Sequence, residues 1–186
     1  MSSVMESILH MEGLINTSGM VALTFYYLYL NTQQFKRDPL TNALNRRCFF
    51  RDAEKRMANL SAVLSIDLNE LKKWNDQYGH AQGDDAICSL VQCVNSALPE
   101  NCFLYRVGGD EFMILCFNQK SSTVEKIKDK IQKNISKTPY SCAIGIAYND
   151  GESDFNKLCS WADKAMYEEK KRTASGDVSS ATATAH

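Results

Sequence analysis

Two short runs, Phe103–Val107 and Phe112–Phe117, are apolar on both faces, and only Gly108-Gly109 and an acidic pair separate them. A strand with one wet face alternates apolar with polar residues, so runs of this kind need a sheet covered from both sides. Ala62–Leu68 reads as a third buried strand, with Asp67 at its end, and Ser141–Tyr148 as a further one. The covering material is visible as helical spacing. Asn45 to Leu60 reads as a helix. Asp84 to Leu98 sets Ile87, Leu90, Val91, Val94 and Leu98 on one face, Val124, Ile127, Ile131 and Ile135 mark another helix, and Phe155, Leu158, Cys159, Ala162 and Met166 a last one. Asp38-Pro39 reads as a helix boundary, because proline disfavours a helical residue before it. Helices alternating with short buried strands, one pair forming a tight hairpin, predict a single α/β layer domain.

The 186 residues suit one domain with short appendages, and 44% hydrophobic content supplies a core. A net charge of -1 provides no global field for nucleic acid, so no nucleic-acid partner is expected. The seven cysteines form no CxxC pair and fall mostly in apolar runs, as reduced thiols of a cytoplasmic protein do. From Glu12 to Lys36 no charge interrupts the chain, and about 20 such residues can cross a bilayer. Lys36, Arg37, Arg46 and Arg47 follow this stretch, which would leave the rest on the cytoplasmic side of the inner membrane. Asn16, Thr17, Ser18 and Gly19 weaken a span, so a helix from about Met11 to Phe35 is read in two ways. It is a membrane anchor through residues 13–35 or a dimerising signalling helix. The chain divides into this segment (1–37), a catalytic domain (38–172) and a Ser/Thr/Ala tail (173–186) expected to be disordered.

Two acidic sites carry the chemistry. Asp67 closes an apolar strand, where a carboxylate needs a cation or hydrogen-bond donors. Asp110 and Glu111 follow adjacent glycines at a hairpin tip, where glycine permits a tight turn and close approach to a ligand. If the strands are neighbours, Asp67 and Asp110 could share a divalent cation, with a backbone carbonyl and phosphate oxygens. Taken singly, each feature has a plainer reading: Asn75-Asp76 and Gly83-Asp84 as helix caps, Lys170-Lys171-Arg172 as a solvated helix end.

Together, the segments resemble the GGDEF diguanylate cyclase family. Asp38-Pro39-Leu40-Thr41 through Arg47 resembles its opening, and Asp67 through Asp76 followed by Tyr78 through Asp84 its substrate-binding segment. Arg106-Val107-Gly108-Gly109-Asp110-Glu111-Phe112 matches the signature, while Ala143–Ala147 and Ala162–Tyr167 match the last strand and helix. The resemblance implies a palm-like nucleotidyl cyclase fold, with a central, mainly antiparallel sheet surrounded by helices. It implies a homodimer that condenses two GTP into cyclic di-GMP with release of pyrophosphate. Asp67, the carbonyl of Leu68 and Asp110 would hold Mg²⁺ or Mn²⁺. Asp110 or Glu111 would assist proton removal and Lys72 would offset phosphate charge. Asn75 and Asp84 would read guanine, His80 would shape that pocket, and Lys170 would reach the terminal phosphates. A carboxylate at Asp84 could accept both N1–H and N2–H₂ of guanine, a donor pair that adenine lacks.

Three positions depart from the family. Asn69 replaces a common second Asp, Thr173-Ala174 stands in place of a Gly-Arg, and Pro99-Glu100-Asn101-Cys102 occupies the place of an inhibitory Arg-x-x-Asp site. The rival readings are an inactive GGDEF module that binds GTP and regulates a partner, and a different cyclase or nucleotidyl transferase on the same fold.

Overall fold

A computed structural model of the chain describes residues 2–34 and 36–174, which fall into two compact units divided between Arg37 and Asp38. The first unit is one helix, α1 (Ser2–Gln34), of 33 residues. It starts well before the expected Met11, and Phe35 lies outside the described residues. No helix among the described residues is long and apolar enough to cross a membrane. This corrects the reading of residues 13–35 as an anchor. The stretch lacks charge, but Asn16, Thr17, Ser18, Gly19 and the closing Asn31-Thr32-Gln33-Gln34 dilute its apolar run. Within the unit, Met20, Leu23, Phe25, Tyr26, Tyr27 and Leu28 are all exposed.

The second unit is built on five strands. They are β1 (Leu44–Asn45), β2 (Leu60–Leu68), β3 (Cys102–Arg106), β4 (Glu111–Phe117) and β5 (Cys142–Tyr148), in the spatial order β1-β3-β4-β2-β5. Only the β1–β3 pairing is parallel. The others are antiparallel, with Ile114 opposite both Leu64 of β2 and Leu104 of β3, and Leu64 opposite Ile146 of β5. The expected mainly antiparallel sheet is therefore present. Helices α2 (Arg46–Arg56), α3 (Leu71–Tyr78), α4 (His80–Asn95), α5 (Ser121–Ile135) and α6 (Phe155–Ala174) surround it.

Alternation along β2 explains why its run is apolar on both faces. Ala62, Leu64, Ile66 and Leu68 join a core with Ile87, Leu90 and Val94 of α4 and with Val124, Ile127 and Ile131 of α5. Val63 points the other way, into a core with Cys48, Phe49 and Ala53 of α2 and Leu158 and Ala162 of α6. Each such fully buried aliphatic side chain contributes roughly 1.5–3 kcal/mol of transfer free energy. On this second face α6 lies directly on the sheet. A Cβ built on Gly145 would stand 2.0 Å from the Ala162 carbonyl oxygen and 2.1 Å from the Met166 nitrogen, so only glycine allows that approach.

β5 is a sheet edge, and the backbone amide and carbonyl of one of its residues, Ile144, are occupied by side chains. Lys128 of α5 donates to the Ile144 carbonyl at 2.8 Å, and Glu169 of α6 accepts from the Ile144 amide at 3.3 Å. Lys128 and Glu169 also pair with each other, and Gln132 donates to Glu169 at 2.9 Å.

Boundaries differ from expectation where tertiary contacts decide them. The helix expected from Asn45 to Leu60 ends at Arg56 and passes through a 3-10 turn, Met57–Asn59, while Asn45 caps it by accepting from the Cys48 amide at 3.1 Å. The helix expected to begin at Asp84 begins at His80, and α3 precedes it as a separate helix. Gly79, at φ 85°, breaks the two apart. Asn75 and Asp84 therefore lie inside helices, and the cap reading of Asn75-Asp76 and Gly83-Asp84 does not hold. α6 runs to Ala174, past the expected start of the tail at Thr173, and residues 175–186 lie outside the described residues.

Candidate active site

The β2–β4 pairing brings the acidic positions together. Asp67 is the register partner of Glu111, and the Leu68 amide donates to the Asp110 carbonyl at 3.3 Å. The metal set expected from the sequence, Asp67, Leu68 and Asp110, thus sits at the adjoining ends of two central strands. The Asp67 side chain is 14% exposed and points to the α6 side, where Lys170 forms an ion pair with it. Asp110 is half-buried and Glu111 exposed.

The turn that presents Asp110 is held by a residue given no role in the sequence reading. Arg106 donates through Nε and Nη2 to the Gly109 carbonyl at 3.2 and 2.8 Å, and through Nη1 to Asp38 Oδ1 at 2.8 Å. The same Asp38 oxygen accepts from the Thr41 amide and hydroxyl at 2.9 and 2.7 Å. Burial pushes the Asp38 carboxyl up, but the Thr41 and Arg106 bonds outweigh it and leave the group below its usual value. The opening Asp-Pro-Leu-Thr segment is thereby tied to the hairpin.

The two glycines of the turn serve different ends. Neither has a positive φ, so this short turn does not draw on the left-handed conformations open to glycine. A Cβ on Gly108 would meet Glu111 Oε2 at 2.7 Å, so Gly108 makes room for the Glu111 side chain. A Cβ on Gly109 would meet nothing within 4 Å, so no contact within the chain explains it. The turn closes through the Val107 and Gly108 amides, which both donate to the Glu111 carbonyl, at 3.0 and 3.2 Å.

After β2, Asn69 bonds twice to the start of β5: its amide donates to the Ser141 carbonyl at 2.9 Å and its Nδ2 to Ser141 Oγ at 3.0 Å. Its Oδ1 is buried without a partner. Glu70, at φ 57°, turns the chain into α3. Lys72 on α3 and His80 on α4 are exposed, and neither side chain bonds to another of these residues among the described residues. His80 and Asp84, four apart on α4, share a face. Asn75 is half-buried against α4. Trp74 stacks edge-on against Tyr140 with ring centroids 5.0 Å apart, and the Tyr140 hydroxyl donates to Asp85 at 2.8 Å, bracing α3 on α4. Burial and that bond raise the Tyr140 hydroxyl above its usual value. A separate cavity of about 440 Å³ lies between α2 and α6, lined by Phe49, Ser65, Met113, Met166 and Glu111, away from Asn75 and Asp84.

The donor set suits a small hard dication. Two carboxylates and a backbone carbonyl leave the remaining positions to water and phosphate oxygens, as Mg²⁺ prefers. Asp67 already receives a cation, the Lys170 ammonium. Among the described residues no three His, Cys, Asp or Glu side chains gather as a closed cage, the pattern of a structural zinc site.

The family model for the diguanylate cyclase GGDEF domain matches residues 35–175. The chain belongs to the GGDEF family. It is 30% identical over 148 residues to a diguanylate cyclase of Vibrio cholerae, covering 72% of this chain and 46% of that one. With diguanylate cyclase DgcM of Escherichia coli it is 29% identical over 145 residues, 72% of this chain and 35% of DgcM. The chain thus spans less than half the length of these curated relatives. A crystal structure of the coiled coil and GGDEF domain of DgcB from Caulobacter crescentus, in complex with c-di-GMP, superimposes with a TM-score of 0.77 at 21% identity, covering 85% of this chain and 92% of that one. The GGDEF domain of PA1120 from Pseudomonas aeruginosa gives 0.64 at 30% identity, covering 73% and 89%. The palm-like cyclase fold of the GGDEF family is therefore the fold of this unit. Its hairpin is the GGDEF signature, held at the ends of β3 and β4 by Arg106.

Proposed function

We propose that the chain is an active diguanylate cyclase that joins two GTP into cyclic di-GMP. The observation that carries this reading is the convergence of Asp67 and Asp110 at adjoining strand ends, with Leu68 and Asp110 bonded through their backbones. Asp67, the Leu68 carbonyl and Asp110 hold Mg²⁺ or Mn²⁺. Such a cation, when bound, offsets triphosphate charge and acidifies the attacking 3′-hydroxyl. Asp84 accepts N1–H and N2–H₂ of guanine, Asn75 bonds the same base, and His80 on the Asp84 face shapes the pocket. Lys72 and Lys170 balance charge on the phosphates, so Lys170 exchanges Asp67 for a phosphate when nucleotide arrives. In each half-reaction a 3′-oxygen bonds to the α-phosphorus of the other GTP and the α–β phosphoanhydride bond breaks. The hydroxyl proton passes to Glu111 or Asp110, and pyrophosphate leaves.

One site holds one GTP, so two subunits must face each other, and α1 is the natural pairing device. The coiled coil of the DgcB structure supports this use of α1. The test is incubation of the full chain with GTP and Mg²⁺, followed by mass analysis of the nucleotides. Cyclic di-GMP is expected from the parent and none from a folded Asp110→Ala variant. GTP binding without any product would favour the inactive module, and product from Asp110→Ala would refute the metal assignment.

A further inference from the structure

A glycine at the junction of α3 and α4 does work that its own conformation does not require. Gly83 is buried in the first turns of α4, and its φ is not positive, so any residue could adopt its backbone. Glycine in a helix interior costs about 0.5–1 kcal/mol relative to alanine, which calls for a compensating reason. The space around it supplies one. A Cβ built on Gly83 would lie 1.9 Å from Asn75 Oδ1, 2.8 Å from Asn75 Cγ and 3.3 Å from Asn75 Nδ2. The Asn75 carboxamide occupies the place of the missing side chain.

The atoms met are the far end of the flexible Asn75 side chain, so a Cβ at position 83 would displace the carboxamide while the backbone around it stays in place. The Gly79 amide donates to the Asn75 carbonyl at 2.9 Å, closing α3 directly against the start of α4. On the other side Trp74 rests on Tyr140, whose hydroxyl is tied to Asp85. The carboxamide itself makes no hydrogen bond among the described residues, so its donor and acceptor stay available, and the missing side chain of Gly83 is what admits it there. A polar group left unpaired in that place is available to a ligand. The residue after Gly83 is Asp84.

We propose that Gly83 is a positioning residue for base recognition: by lacking a side chain it seats the Asn75 carboxamide beside Asp84, and so sets the preference for guanine. This rests on the assignment of Asn75 and Asp84 to the guanine base. The inference is tested with a double-mutant cycle on the full chain, comprising Gly83→Ala, Asn75→Ala and the pair. Two readouts are taken: thermal melting without nucleotide, and equilibrium binding of GTP and ITP with Ca²⁺ in place of Mg²⁺. Gly83→Ala is expected to lower the melting temperature of the parent but to raise it in the Asn75→Ala background, where alanine simply favours the helix. It weakens GTP about ten- to a hundredfold and leaves the gap to ITP, which lacks the N2–H₂ assigned to Asp84, in place, and it causes no further loss once Asn75 is alanine. If Gly83→Ala fails to fold alone, recovery of folding in the double variant supports the seat, and absence of recovery overturns it. Equal destabilisation in both backgrounds overturns it too. Coupled melting temperatures with unchanged GTP binding in all three variants would instead sink the assignment of Asn75 to the base, and with it the proposed role of Gly83.

Discussion

Gly145→Ala probes the contact on which the placement of α6 depends. Gly145 lies opposite Ser65 in the sheet, and the atoms a Cβ would strike are the Ala162 oxygen at 2.0 Å, the Met166 nitrogen at 2.1 Å and Met166 Cα at 2.8 Å. All belong to the helix backbone, so no side chain can swing aside, and α6 must lift from β5 by more than an ångström. Overpacking of this kind costs about 1–3 kcal/mol, while the reduced freedom of the unfolded chain returns about 0.4–1 kcal/mol. A net loss of about 1–2 kcal/mol lowers the melting temperature of a domain this size by roughly 2–8 °C. Because α6 carries Lys170 onto Asp67, the variant should also bind GTP more weakly. The control is Gly109→Ala, where a Cβ meets nothing within 4 Å and the melting temperature should stay within about 1 °C of the parent. Calorimetric melting of the three proteins decides the matter. If Gly145→Ala melts with the parent, or Gly109→Ala falls as far as Gly145→Ala, the close-contact reasoning is wrong.

Asp38 gives a pH dependence. Its folded carboxyl lies below the usual value, so its charge stabilises the fold above the unfolded value, about 3.9, and that contribution is lost as pH falls through the folded value. Urea titrations of the parent and Asp38→Asn should therefore show a stability gap at pH 7 that closes on acidification below pH of about 4; a gap constant to pH of about 3 would count against the Arg106–Asp38 clamp. Removing residues 1–37 should make specific activity rise steeply with protein concentration, since tethering supplies an effective concentration in the millimolar range. Equal, concentration-independent activities of full and shortened chains would show that α1 does not organise the pair. With Pro99-Glu100-Asn101-Cys102 where an Arg-x-x-Asp site would stand, cyclic di-GMP should inhibit by competition with GTP alone. Non-competitive inhibition in steady-state kinetics would require another regulatory site.

The elements most legible in the sequence were those whose burial is dense and regular. Val124, Ile127, Ile131 and Ile135 are all buried along α5, and the two-sided apolar runs became β3 and β4. α3 escaped notice because it is only eight residues long and none of them is fully buried, Leu71 and Trp74 packing on the core from its margin, and its end is set by Gly79. β1 is two residues long and exists because it pairs with β3, which no local pattern announces. The acidic positions stood out because carboxylates at the ends of apolar strands are costly, and the pairing of Asp67 with Glu111 follows from strand register. Arg106 was hidden by distance along the chain, since its partner Asp38 is 68 residues away. The membrane reading failed because absence of charge is a weaker property than apolarity, as Asn16 to Gly19 show.

The occupied Ile144 backbone at the edge of β5 bears on how this protein meets its own copies. An open strand offers a row of unsatisfied amides and carbonyls that a neighbouring chain can zip onto, the first step toward fibrous association. Here the Ile144 amide and carbonyl are already spoken for by Glu169 and Lys128, and the half-buried ion pair between those two side chains guards the spot. In the homodimer proposed above, two copies would thus be kept from merging their sheets through Ile144.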